Sequence, residues 1–157
     1  MIKLKTTGMK ELTERLKLVG YETKYKSGRF ALRKAAQLIA AALVDNAKLV
    51  DDPRTQNYIP RNVDIRWNAK RFRSNGELGF RVGIMGGAGG NANTQEFASN
   101  PGGDTRYWRF VEFGTRHSAP KPFFRKSMSD NAQAAIDEFI KQYRLSIDRA
   151  LKRVGIT

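Results

Sequence analysis

The stretch from Arg106 to Met128 constrains the fold most, because two elements must meet there at one corner. It begins with an aromatic run over residues 107–113, YWRFVEF, which predicts a β-strand. Gly114 breaks this run, since glycine adopts backbone conformations that are closed to other residues. Two prolines follow, and proline suits the first turn of a helix. The pattern therefore predicts a strand, a turn and the start of a helix within these residues.

Hydrophobic spacing predicts two long helices. The first runs from about residue 27 to residue 50, with Ser27 as its cap and an Asp-Asp-Pro sequence at its end. The second covers about 122–154 and would span roughly 45–50 Å, so we expect its far end to project or to pack on another chain. A shorter amphipathic helix over residues 8–19, ended by Gly20, is predicted before both.

Two alternating segments predict a β-hairpin between the helices. Residues 62–67 and 78–84 alternate polar and apolar side chains, and Ser-Asn-Gly at 74–76 indicates a turn between them. Strands grouped between helices are typical of α+β proteins. We therefore predict a single domain over residues 1–157, in which a small antiparallel sheet packs against two or three helices.

A glycine-rich segment over residues 85–105 separates the predicted sheet from residues 106–128, which we call the motif stretch. It contains Gly86, Gly87, Gly89 and Gly90 but no following Gly-Lys-Ser/Thr, which argues against a phosphate-binding loop. Such a composition buries too little apolar surface to offset its ordering entropy. We predict a mobile arm that becomes ordered against a neighbouring subunit, with a merely flexible loop as the alternative.

No residue pattern in the chain indicates catalysis. The single histidine, His117, lies in a polar turn without an obvious carboxylate partner, and neither cysteines nor clustered metal ligands are present in the sequence. We predict no enzyme, no catalytic residue, no cofactor and no metal, although a basic nuclease that uses only Arg, Lys and Tyr is an alternative. Glu112 lies among aromatic residues near Arg106 and Arg109, and we expect it to form an ion pair within or between subunits.

The charge of the chain indicates an acidic partner. There are 29 Lys and Arg against 15 Asp and Glu, a formal net charge of +14, which attracts nucleic acid or an acidic protein neighbour. The basic residues cluster at 61–73, 106–126 and 141–153, with Trp67, Phe72, Tyr107 and Trp108 within or beside the first two clusters. These aromatics are either a stacking platform for nucleic acid or part of the sheet core. No apolar run reaches the ~20 residues of a membrane span, so we expect no membrane partner.

The motif stretch also resembles a known family. The run FVEFGT, a short polar turn and then PxPFFR are similar to the pattern of the tail-completion, or head–tail joining, proteins of long-tailed bacteriophages. The matching residues are Phe110, Val111, Glu112, Phe113, Gly114, Thr115, Pro122, Phe123 and Phe124. The resemblance covers most of the chain in element order. It departs from the family at residues 57–62, where members often carry a Thr-Gly-x-Leu turn.

This resemblance implies a structural virion protein that completes the tail at its head-proximal end and joins it to the neck. It implies a ring, of six copies in that family, that contacts the tail-tube protein and a head-side connector protein, and also DNA in the lumen without sequence preference. The protein would be made in the host cytoplasm and reside in the virion tail. A basic nucleic-acid-binding module is the alternative function. The expected interface residues are Arg109, Glu112, Phe113, Gly114, Thr115, Pro122, Phe123, Phe124, Gly86, Gly87, Gly89 and Gly90.

Overall fold

The computed structural model describes residues 14, 17, 19–86 and 97–155. Helix α1 is Gly28–Lys48, strand β1 is Val63–Trp67, helix α2 is Ala69–Asn75 and strand β2 is Phe80–Ile84. Helix α3, Trp108–Phe113, and helix α4, Phe123–Val154, complete the described elements. A π-helical segment, Glu22–Ser27, precedes α1, and a 3-10 turn, Ile59–Asn62, precedes β1. The predicted α+β class, with a two-stranded antiparallel sheet against several helices, is confirmed.

Helix α4 packs antiparallel along α1. Asn46 Nδ2, near the end of α1, donates to Ser127 Oγ near the start of α4 at 2.8 Å. At the other end of the pair, Gly28 lies beside the ring of Tyr143, and Arg149 lies over the ring of Phe30. Ala150 is buried, so the far end of α4 packs on its own subunit. The expectation that this end projects or packs on another chain is therefore wrong.

The partner of α4 is long because the helix before α1 does not stop where the sequence suggested. Gly20 is helical, and Ser27 has helical dihedral angles without a side-chain capping hydrogen bond. The chain is thus helical from the described residues 19–21 through the π-helical segment into α1. The predicted stop at Gly20 and cap at Ser27 are both wrong. Most of the helix predicted over residues 8–19 lies outside the described residues.

The two strands pair as predicted but are joined differently. Val63 pairs with Ile84 and Trp67 with Phe80, in an antiparallel register. The connection is helix α2 rather than a tight turn: Asn68 caps its N-terminus, and Gly76 ends it in the left-handed conformation, with φ 71°. Glycine adopts this conformation without the cost of a Cβ atom. Trp67 packs against the rings of Phe72 and Phe80, so its aromatic face belongs to the sheet and not to a free platform.

The core lies where α1, β2 and the start of α4 meet. Leu43, Ala47, Ile59, Ile84 and Phe123 form the buried cluster. Residues Tyr107, Trp108 and Val111 of the motif stretch pack against it from one side. Their spacing of one and three residues is that of a helix face, which explains why residues 108–113 form α3. The β-strand predicted at 107–113 is wrong, because packing of this face overrides the strand preference of its aromatic residues.

Candidate assembly interface

The motif stretch forms a corner between α3 and α4, and Glu112 holds it together. Glu112 is 1% exposed, and its carboxylate accepts hydrogen bonds from Phe124 N at 2.8 Å and Arg125 N at 3.1 Å. These are free N–H groups in the first turn of α4, where a negative charge also interacts favourably with the helix dipole. Arg125 Nε adds a charged hydrogen bond at 2.9 Å. Glu112 therefore does form an ion pair within the subunit, but its partner is Arg125.

The turn between the two helices requires glycine at position 114. Gly114 has φ 76° and ψ 177°, and a Cβ atom there would lie 2.8 Å from both Pro120 N and Ser118 O. Thr115 N donates to Ser118 O at 2.9 Å within the same turn. Lys121 N donates to Val111 O at 2.8 Å and brings the chain back to the start of α4. The FGT and PxPFFR parts of the motif are thus adjacent in space.

We expect Gly114→Ala to lower the free energy of unfolding by about 2–4 kcal/mol. Alanine rarely adopts the positive φ of this position, and its Cβ atom would clash with the backbone of residues 118 and 120. Urea denaturation followed by circular dichroism measures the change. Gly20→Ala is the matched control, since a Cβ atom there meets nothing within 4 Å and the residue is helical. That control should be neutral or stabilising. Equal stability of the two variants would contradict the geometry of the turn.

Aromatic side chains of the corner divide into a packed set and an exposed set. Phe123 is buried in the core, and the ring of Trp108 stacks on that of Phe124. Trp108 Nε1 is buried without a hydrogen-bond partner in the described part of the chain. Phe110 and Phe113, by contrast, are 63% and 60% exposed, and Arg125 lies over the ring of Phe113. An exposed aromatic pair on one helix is typical of an interaction surface.

The remaining predicted interface residues lie partly at the corner and partly in the glycine-rich segment. Thr115 and Pro122 are exposed at the corner, and Arg109 is half-buried beside them on α3. Gly86 is buried near Arg106 and Phe97, so it packs within the subunit. Gly87, Gly89 and Gly90 lie outside the described residues. The corner therefore brings together the eight expected interface residues from Arg109 to Phe124, whereas Gly86 packs elsewhere in the subunit.

A polar network binds the second part of the glycine-rich segment to the subunit. Asn62 is fully buried; its Nδ2 donates to Gly103 O at 2.8 Å and to Thr105 Oγ1 at 2.7 Å, and its Oδ1 accepts from Gly102 N at 2.7 Å. Tyr58 N donates to Gly102 O at 2.7 Å. Residues 102–105 therefore pack on their own domain, and a mobile arm that extends to residue 105, as predicted, is too long at this end.

Asp51 connects this network to the end of α1. One carboxylate oxygen accepts from Ile59 N at 2.6 Å and the other from Tyr107 Oη at 2.9 Å. Burial, together with the hydrogen bond to Asp51, raises the pKa of the Tyr107 hydroxyl well above its ordinary value. The hydroxyl therefore stays protonated as a donor. Nearby, the hydrogen bond from Arg106 lowers the pKa of Asp104.

The sequence did not indicate a groove that lies along α1, away from the corner. It has a volume of about 830 Å³ and lies between α1 and one face of the sheet. Its lining residues are Lys26, Arg29, Phe30, Arg33, Gln37, Ala40, Ala41, Val44, Val63, Asp64, Ile65, Trp67 and Phe80. The signal in the sequence was the spacing of the basic residues at positions 26, 29 and 33, which places them on one face of a helix.

The described residues contain no group of three or more histidine, aspartate or glutamate side chains that could hold a metal ion. Within the same ranges, no helix is long and apolar enough to cross a membrane. The corner itself presents packed helix ends, a turn and exposed apolar side chains, which are suited to contact with other proteins.

Comparison with known proteins agrees with this geometry. A family model described as "Bacteriophage HK97-gp10, putative tail-component" matches residues 10–114, which include the first part of the motif, FVEFG. No curated protein and no solved structure matches the chain. The matched region covers 105 of the 157 residues. The chain thus belongs to the HK97-gp10-like family of bacteriophage tail components.

Proposed function

We propose that this tail component completes the phage tail at its head-proximal end, as a ring of copies that joins the tail tube to the neck. The observation that carries the proposal is the exposed pair Phe110 and Phe113 on the corner of the motif, in a chain that belongs to a family of tail components. A monomer in water gains nothing from presenting two aromatic rings on one short helix. A contact with another virion protein that covers the two rings is stabilised, because it removes their apolar surface from water.

The corner is rigid, which suits it to a contact between subunits. It is fixed by the Glu112 hydrogen bonds and by the turn at Gly114, so the two rings lie on a rigid support. Rigid aromatic side chains lose little conformational entropy when they bind. Leu49, which is 83% exposed at the end of α1, adds apolar surface near the start of α4. We assign this corner to the contact with a neighbouring tail or neck protein.

We expect Phe110→Ser combined with Phe113→Ser to leave a folded subunit and to reduce the infectious titre at least tenfold in a complementation assay. A single hot-spot aromatic typically contributes about 2 kcal/mol or more to binding, which exceeds a factor of ten. Electron microscopy should show tails that lack the terminal ring and do not carry heads. Leu145→Ser, on α4, removes a comparable exposed side chain and should be silent. Wild-type titre in the double variant would overturn the assignment of the corner.

Nucleic-acid binding is the alternative that the net charge favours. A tail component that meets DNA only through its charge should bind it weakly, without sequence preference and with a steep loss of affinity as salt rises. A dedicated binder would keep specific affinity at physiological salt as a monomer or dimer. Titration of short duplexes at two salt concentrations separates the two. Specific salt-resistant binding, without rings and without attachment to tails, would overturn the proposed function.

Within the glycine-rich segment, only the residues between 86 and 97 remain candidates for an arm that contacts a neighbouring subunit. Ring closure by ordering of that arm across a subunit boundary remains a hypothesis. Removing all of residues 86–103 is not a clean test, because Asn62 would lose its bonds to Gly102 and Gly103. A shorter deletion within residues 88–95 retains these bonds. We expect it to leave a folded subunit with impaired tail completion, and infectious particles from that variant would count against the hypothesis.

A further inference from the structure

The groove between α1 and the sheet, which we call the basic groove, combines an apolar floor with a positive rim. Ala40, Ala41, Val44 and Ile65 are among the apolar residues that line it. The rim carries Lys26, Arg29 and Arg33, placed at i, i+3 and i+7 along one helix face. The small alanines allow another backbone to come close. An amphipathic segment with acidic residues on one side would therefore fit this surface.

The positive charge of the rim is largely uncompensated. Lys26 pairs with Glu22, but Arg29 lies over the ring of Trp67 at 4.3 Å, and Arg33 forms no ion pair with any described residue. Among the described residues that line the groove, the single acidic one is Asp64, whose carboxylate accepts a hydrogen bond from Arg66 Nε at 2.8 Å. A ligand that brings carboxylates to Arg29 and Arg33 would make charged contacts that the described residues do not supply.

A surface of the same chain has the complementary chemistry. On the outer side of α4, Asp130, Gln133 and Asp137 follow the same i, i+3, i+7 spacing, and Ile136 and Ile140 lie beside them; we call these five residues the acidic stripe. Ile136 and Ile140 are 52% and 41% exposed. Neither aspartate forms an ion pair with a described residue. Between Lys126 and Lys141 the sequence contains no basic residue, in a chain of net charge +14.

We propose that the acidic stripe of one copy docks in the basic groove of the next copy. The stripe is short enough for the groove: the groove follows the π-helical segment and α1 from residue 26 to residue 44, about 27 Å, and residues 130–140 span about 15 Å of helix. The two surfaces share no residue, so each copy gives one surface and receives the other. Such a contact is heterologous, and repetition of it closes a ring when the rotation permits. The inference rests on the proposed function as a ring and names the contact that would build it.

A second copy fits better than the other occupants of a basic surface. Nucleic acid would use the cations of the rim, but a phosphate backbone makes no use of the apolar floor formed by Ala40, Val44 and Ile65. An acidic segment of another tail protein would use both features. The presence of a matching acidic and apolar stripe on this same chain favours self-association. Binding of nucleic acid or of another tail protein in the groove, in place of a second copy, would overturn the proposal.

The first test is cross-linking between two single-cysteine variants, which the cysteine-free chain permits. Gln37→Cys places a thiol in the groove and Gln133→Cys places one in the stripe; both positions are exposed. With a short bis-maleimide at high protein concentration, the mixture should give heterodimers, and neither variant alone should give an equal yield of homodimers. A mixture of Gln37→Cys with Arg54→Cys is the control. Equal yields in the two mixtures would overturn the proposal.

The second test reverses charges across the contact. Arg33→Glu or Asp137→Lys should each weaken association of the subunits at least tenfold in analytical ultracentrifugation, and the two together should restore most of the loss. Arg54→Glu makes the same charge change on an 88% exposed side chain away from both surfaces, and should have no effect. Circular dichroism verifies that each variant is folded. Additive losses in the double variant would overturn the pairing.

The outcomes separate this inference from the proposed function. A wild-type ring that is indifferent to the charge reversals, or a groove cysteine that cross-links only to another tail protein, overturns the inference and leaves the ring in place. Loss of DNA binding but not of self-association in Arg33→Glu likewise overturns it in favour of nucleic acid. A protein that stays monomeric both in solution and on tails overturns the inference and the proposed function together.

Discussion

Glu112→Ala is expected to lower the free energy of unfolding by about 2–4 kcal/mol, in spite of changing one side chain in a six-residue helix. The buried carboxylate accepts hydrogen bonds from Phe124 N and Arg125 N, and alanine would leave both N–H groups of the first turn of α4 without an acceptor. It would also leave a void at a site that is 1% exposed. Urea denaturation followed by circular dichroism measures the loss.

Two further variants isolate the cause. Glu112→Gln keeps the shape and one acceptor oxygen but removes the charge, so we expect about half of the loss. Arg125→Ala removes only the partner of the ion pair, whose side chain is 60% exposed, and should cost about 1 kcal/mol or less. Glu77→Ala, at an exposed pair with Arg71, is the matched control and should be close to neutral. A Glu112→Ala protein as stable as Glu77→Ala would mean that the carboxylate does not hold the corner.

The long helices were predictable from sequence because their apolar periodicity is sustained over many turns. Helices α1 and α4 begin and end within a few residues of the predicted bounds. What the periodicity could not give was their pairing. The predicted projection of α4 follows from its length alone, whereas the helix before α1 continues through Gly20 and the π-helical segment and supplies a partner of comparable length. A weak helix former such as glycine does not end a helix that is packed on another.

The corner shows the opposite case, in which the residues were identified but their geometry was not. The aromatic composition of residues 107–113 favours a strand, and only tertiary contacts of Tyr107, Trp108 and Val111 decide for a helix. An ion pair of Glu112 was expected, but its hydrogen bonds to the first turn of α4 were not. A carboxylate twelve residues before Phe124 caps that helix only because the turn at Gly114 reverses the chain. The family could be predicted from the motif, because recognising the motif requires only the order and spacing of its residues and not their geometry.

The composition of the glycine-rich segment predicts an arm that is too long at its C-terminal end, because composition does not reveal distant partners. Gly102 and Gly103 bond to Asn62, some forty residues earlier in the chain. Nothing near either position in the sequence signals this contact. Sequence composition estimates only the apolar surface that a segment can bury, and here buried hydrogen bonds to one asparagine supply the stabilisation instead. Polar networks of this kind are the part of a fold that periodicity detects least.

Gly102→Ala is the variant with the largest expected loss, about 3–5 kcal/mol. A Cβ atom there would lie 2.2 Å from Tyr58 O and 2.9 Å from Asn62 Oδ1, and the first of these is a backbone atom that cannot rotate away. The segment would have to leave its place, and Asn62 would lose its bonds to Gly102 and Gly103 inside the domain. Thermal and urea unfolding should both report the change. Gly83→Ala in β2, where a Cβ atom meets nothing within 4 Å, is the matched control and should cost less than about 1 kcal/mol.

The same pair of variants decides whether the segment is docked in solution. In the wild-type protein, the amides of Tyr58 and Gly102 should exchange with deuterium slowly, because each is bonded inside the subunit. In Gly102→Ala both should exchange faster, whereas Gly83→Ala should leave them protected. If Gly102→Ala were as stable as Gly83→Ala and both amides exchanged rapidly in the wild type, the contact with Asn62 would be too weak to hold the chain. The arm available for ring closure would then extend to residue 105, and the shorter deletion within residues 88–95 would remove only part of it.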